Sequence, residues 1–150
     1  MAASTAQSVA TALINLSHDK QKPVSNLKLQ KLLYYAQAWY LVFYKNPLFD
    51  EEIQAWVHGP VVPAVFRHYK DFKWSPIARQ PLGDISAITI AHLEEVWRVY
   101  GNANAYELEK LTHSEDPWKN ARAGLSADVS SYRVISKQSI RKFYLSRLHG

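Results

Sequence analysis

At 150 residues, with 47% apolar and 21% charged side chains, the chain has the balance of one globular domain, which excludes wholesale disorder. The absence of cysteine excludes disulfides, thiolate metal ligands and a cysteine nucleophile, and fits a reducing compartment. The net charge of +5 is lopsided: residues 1–117 hold 11 Lys/Arg against 12 Asp/Glu, and residues 118–150 hold 7 against 1. A basic C-terminal segment of this kind suits nucleic acid, an acidic protein face or plain solvent.

The amino terminus, MAASTAQSVATALINL, lacks the basic start and continuous apolar block of a secretory signal. It reads as a short amphipathic helix with Val9, Leu13 and Leu16 on one side. With no spanning segment either, the expected location is the cytoplasm. A polar, proline-bearing connector leads to the stretch that dominates the chain, Asn26 to Tyr44. Leu29, Leu32, Leu33, Ala36, Trp39, Tyr40 and Phe43 recur at helical steps, and Tyr34, Tyr35, Ala38, Leu41, Val42 and Tyr44 make the other side nearly as apolar. A helix apolar almost all round is a buried one. Ser25 or Asn26 offers its cap, and Pro47 marks the stop beyond it.

Ile53, Ala55 and Val57 alternate with Gln54, Trp56 and His58, the pattern of a short strand. Gly59 and Pro60 break it, and Pro60 and Pro63 both suit the first turn of a helix carrying Val62, Val65, Phe66 and Tyr69 inward. Residues 74–83 read as an irregular loop. Ser86 or Thr89 starts a helix with Ile88, Leu93, Val96, Trp97 and Tyr100, ending at Gly101. Asn102 or Asn104 caps the next, with Tyr106, Leu108 and Leu111. Ser114 or Asp116 caps a short helix begun by Pro117 and stopped by Gly124. Ser136 caps the last, whose apolar set is Ile140, Phe143, Tyr144 and Leu148 and whose polar side shows Lys137, Arg141, Lys142 and Arg147. The expected fold is mainly α: a single compact multi-helix domain over residues 1–150, around a buried central helix, with one short extended segment.

No catalytic constellation stands out. The five glycines are scattered, no G-x-S-x-G elbow occurs, and the six histidines never pair at zinc-ligand spacing. The polar run His113–Asp116 reads as a helix cap rather than a metal or acid–base site. His58, before Gly59–Pro60, reads first as a hydrogen-bonded structural residue. No cofactor and no metal is expected, and the chain is not expected to be an enzyme.

Three blocks in order, LKLQKLLYYAQAWYL, PLFDEEIQAWVHGPVVPAVFRHY and LTHSEDPWKNAR, resemble the signature of the SocA-like, GepA-related antitoxin domain, also called Panacea. With the closing helix, the resemblance covers almost the whole chain, and the long second block makes it specific. It implies a prokaryotic or phage-borne antitoxin, commonly encoded beside a toxin and neutralising it by direct contact. Some relatives carry a DNA-binding segment, for which the short stretch before the first block leaves no room. The expected partner is a cognate toxin, with a homodimer compatible and a membrane not expected. Nucleic acid is a disfavoured partner, and a DNA-binding regulator using the basic last helix is the alternative reading. Candidate partner-binding residues are Lys28, Lys31 and Tyr35, which share one helical strip, Trp56 and His58 at the Gly–Pro kink, and Arg141 and Arg147.

Overall fold

A computed structural model of the chain describes residues 2–149. Its elements are α1 (Ala6–Asp19), α2 (Asn26–Tyr44), β1 (Ile53–Trp56), β2 (Gly59–Val61), α3 (Pro63–Tyr69) followed by a 3-10 turn, α4 (Ala87–Tyr100), α5 (Ala105–His113), α6 (Asp116–Ala121), β3 (Val134–Ile135) and α7 (Lys137–His149). The fold is mainly α. Helix α2 is its axis, packed against α7, α4, α1, α5, α3 and β2.

The core forms where the α2 pattern demands. Leu29, Leu32, Leu33, Ala36 and Ala38 are sealed from solvent, together with Val9 and Leu13 of α1, Leu93 of α4 and Ile140 of α7. Two amides inside this apolar surround tie loops to the axis. Gln37 donates to Phe49 O and accepts from the Leu48 amide, both at 2.7 Å. Gln30 donates to Asn26 Oδ1 and accepts from the Val62 amide, both at 2.9 Å. Buried polar groups persist only when paired, so these contacts fix where the chain leaves and re-enters the core. Ser25 caps α2 by accepting from the Lys28 amide, Ser86 caps α4 in the same way, and Asn104 forms a capping box with Glu107 on α5.

The extended segment is part of a three-stranded antiparallel sheet ordered β2-β1-β3. Here the sequence expectation needs correcting: Pro60 does not start a helix but sits in β2 opposite Ala55, an edge strand where a missing N–H costs nothing. Only Pro63 opens α3. Gly59 makes the hairpin, at φ +107°; a Cβ there would lie 2.7 Å from Lys31 Cε and 2.9 Å from Thr112 Oγ1. Only glycine meets both demands. Several residues expected inside are outside: Phe43, Tyr44, Ile88, Tyr106, Leu111 and Leu148 are exposed. Helix α6 begins after Glu115, which turns its side chain into the core instead of capping.

Candidate partner-binding site

The residues singled out from sequence divide into an inner set and two surfaces. Lys28, Lys31 and Tyr35 share a strip of α2, as their spacing implies, but the strip faces inward and all three are buried. Their polar atoms are engaged within the fold. Lys28 donates to Gly101 O at 2.6 Å and lies over the Trp97 ring; burial lowers its pKa to about 8. Lys31 donates to Pro60 O at 3.0 Å, and burial lowers its pKa to about 7. Tyr35 donates to Glu115 at 2.7 Å.

Glu115 is the centre of a network that sequence reading missed. It also accepts from Tyr144 of α7 at 2.8 Å. The Tyr34 and Tyr144 hydroxyls lie 3.1 Å apart; with the Tyr144 proton committed to Glu115, Tyr34 is the donor between them. Tyr35 stacks on Tyr100, which accepts from Trp39 Nε1 at 2.8 Å. Burial raises the Glu115 pKa, against the lowering effect of the two tyrosine hydrogen bonds. The signal in the sequence was a run of tyrosines on a buried helix, each requiring a partner for its hydroxyl. Where that partner came from, the strip spacing did not reveal.

The first surface gathers Trp56 and His58. With Leu27, Val61, Phe66 and Tyr132 they line a depression of about 390 Å³ beside the hairpin. Trp56 meets Phe66 and Tyr132 edge to face and donates to Gln54. His58 lies at the hairpin tip, exposed, 3.2 Å from Glu109 of α5. Beneath it, His113 stacks on Trp118 at 3.8 Å, and burial lowers its pKa. Arg122, which is buried, lies over the same Trp118 ring and donates to the carbonyls of Ala55, Ser126 and Val129. These contacts pin the segment carrying Tyr132 to the sheet. Among the described residues no group of three or more His, Asp or Glu side chains is placed to hold a metal ion.

The second surface is a groove of about 360 Å³ between the C-terminal half of α2, α4 and the end of α7, lined by Trp39, Phe43, His92, Glu95, Val96, Arg98, Val99, Tyr100 and Leu148. Phe43, Val99 and Leu148 are 57%, 59% and 48% exposed, so its wall is apolar surface left in water. Of the α7 cations, Arg147 is exposed, with its guanidinium 4.9 Å from the Phe143 ring centroid. Arg141 is half-buried and donates to Leu41 O at the end of α2. Leu41 O also accepts from the Lys45 amide at 3.1 Å, so the guanidinium shares the carbonyl at the C-terminal turn of α2, and Arg141 is a fastening of α7 to α2 and not a surface cation like Arg147.

A family model described as the SocA-like antitoxin, Panacea domain, matches residues 29–119. The matched span runs from within α2 into α6 and so contains Lys31 and Tyr35 of the buried strip, the hairpin and Glu115, while Lys28 lies just before it. A curated relative, Antitoxin SocA of Caulobacter vibrioides (strain NA1000 / CB15N), is 44% identical over 62 residues, 41% of this chain and 33% of that protein. The match therefore spans about a third of the relative's length. No solved structure matches the chain. On the extent of the family match, this chain belongs to the SocA-like antitoxin family with a Panacea domain.

Proposed function

We propose that this chain is a non-enzymatic, cytoplasmic antitoxin that neutralises a cognate toxin, encoded nearby, by direct protein–protein contact. The observation that carries the reading is exposed apolar surface on a domain of an antitoxin family: two depressions lined by aromatic and aliphatic side chains, each with exposed members. Contiguous apolar surface in water is the usual mark of an interaction site, and aromatic side chains dominate interface energetics. Most polar atoms beneath these surfaces are taken up by internal hydrogen bonds, His113 Nε2 and Arg122 Nε excepted, which suits a scaffold for recognition. Among the described residues no helix is long and apolar enough to cross a membrane.

A DNA-binding role for α7 draws less support. Lys137 donates to Asp50 O and Arg141 to Leu41 O, which leaves Lys142 and Arg147 as its exposed cations. Two phosphate contacts give a weak, strongly salt-dependent association. Co-expression with the product of the adjacent reading frame tests the proposal. The expected result is toxicity of that product alone, growth in the presence of this chain, and recovery of both proteins together. Rescue without a recoverable complex would contradict direct contact.

A further inference from the structure

We propose that His113 is a proton-operated catch for the hairpin of β1 and β2: while its ring is neutral, α5, α6 and the hairpin close on one another, and a second ring proton loosens them. The mechanical link is an aromatic stack. The His113 ring lies on Trp118 with centroids 3.8 Å apart and planes 17° apart. Trp118 Nε1 donates to Trp56 O at 2.8 Å, and Arg122, over the same indole, donates to Ala55 O at 3.1 Å. The end of β1 is thus hung on this stack, and with it Trp56, a wall of the depression beside the hairpin.

The ring is placed so that a second proton has nowhere to go. His113 Nε2 is buried and has no hydrogen-bond partner among the described residues. The nearby Val57 carbonyl favours a proton on the ring, and since Nε2 is without a partner that proton belongs on Nδ1, which leaves Nε2 a bare lone pair. Protonation of Nε2 would create a sealed N–H with no acceptor, and an unpaired buried donor costs its full desolvation. Surrounding charge adds to the cost. Lys31 of α2 and Arg122 both disfavour a charged ring. Glu109, one turn earlier on α5, favours it but already lies 3.2 Å from His58 at the hairpin tip. Burial is the largest of these effects, and together they hold the His113 pKa below its ordinary 6.5.

The direction follows from linkage. A ring that resists protonation when closed, and accepts it normally when open, destabilises the closed arrangement as pH falls below 6.5 and has no effect above. Other buried groups leave a different trace. Lys31, lowered to about 7 by burial, carries its proton in both states below that pH and adds no slope there. Glu115 has a raised pKa, so its protonation favours the folded state and acts in the opposite sense. His92, also lowered by burial, sits against Ala36 O between α4 and α2, away from the hairpin.

The test is hydrogen exchange at single amides of the full chain from pH 7.5 to 5, corrected for intrinsic rates, with the His113 ring resonances followed in parallel. Opening at the β1 and β2 amides should rise by up to about tenfold per pH unit below 6.5, and more steeply than at the amides of α4. His113→Phe keeps a ring on Trp118 without a titrating nitrogen and should abolish that excess. Lys31→Met removes a neighbouring cation and should move the His113 midpoint upward. His58→Ala, which removes the exposed contact to Glu109, should leave the excess in place.

An equal rise in His113→Phe would overturn the catch, as would a wild-type hairpin whose exchange follows α4 throughout. A wild-type His113 midpoint at or above 6.5 would overturn it without any variant, so a failure of His113→Phe to fold does not protect the inference. None of these readouts involves a toxin, so the outcome is independent of the antitoxin reading.

Discussion

Lys31 shows how a residue that looks like a surface handle becomes a determinant of stability. Its amine is sealed under Gly59, and burial brings its pKa down from 10.5 to about 7. Between those values the unfolded chain keeps a proton that the folded chain has released. Stability therefore rises with pH across this window, and the cost is complete below pH 7. Lys28, lowered to about 8 by burial, acts in the same direction. Above pH 10 the sign reverses, because burial holds the Tyr34, Tyr35 and Tyr144 hydroxyls protonated while the unfolded chain ionises them near 10. Denaturant midpoints should climb from pH 7 toward 10 and then fall. Lys31→Met should raise the midpoint at pH 7 and flatten the lower part of the climb; an unchanged slope would show that this amine stays hydrated. Glu115→Ala strands the Tyr35 and Tyr144 hydroxyls, and should cost about 1–3 kcal/mol for each buried group left unpaired. Chemical denaturation measures the cost, and Glu115→Gln, which keeps an acceptor, should lose less. Gly59→Ala is expected to destabilise the fold through backbone strain and the Lys31 contact together, again read from the denaturation midpoint.

Among the elements, α2 was legible because its sequence carries three agreeing signals: a serine cap, nineteen residues of helical pattern, and Pro47 shortly after its end. Short amphipathic helices were less so. On α5 the period allows two adjacent faces, and the fold buries Leu108 while Tyr106 and Leu111 go to solvent. The sheet was half legible. Alternation announced β1, but β2 contains a Gly–Pro pair and β3 has only two residues, so neither carries a periodic signal of its own. Both exist through pairing with β1. The same limit applies to the site. The spacing of Lys28, Lys31 and Tyr35 gave a common strip but not its direction, which depends on α5 and the hairpin arriving from later in the chain. Phe43 and Tyr44 held a signal that could have been used: aromatic side chains in the last turn of a buried helix, just before a turn, are well placed to emerge at a surface. Removal of the capping box on α5 by Asn104→Ala should cost about 1 kcal/mol and, because α5 supports the Glu109–His58 contact, lower protection of the hairpin in hydrogen exchange.

For the molecule as a whole, the segregated charge has a structural counterpart. The basic α7 is fastened to the axis by Tyr144 on Glu115 and by Arg141 on Leu41 O, so its exposed cations, Lys142 and Arg147, are held at a fixed place on the surface. Such a layout favours fast, oriented encounter with an acidic partner, and the association rate should fall as ionic strength rises. The central claim is direct neutralisation, and titration of the purified chain against the purified product of the adjacent reading frame addresses it most directly. A saturable complex of submicromolar affinity, formed in parallel with loss of the toxin's activity, is the predicted result. Growth rescue in cells with no complex at tens of micromolar, roughly 7 kcal/mol of binding free energy or less, would contradict it.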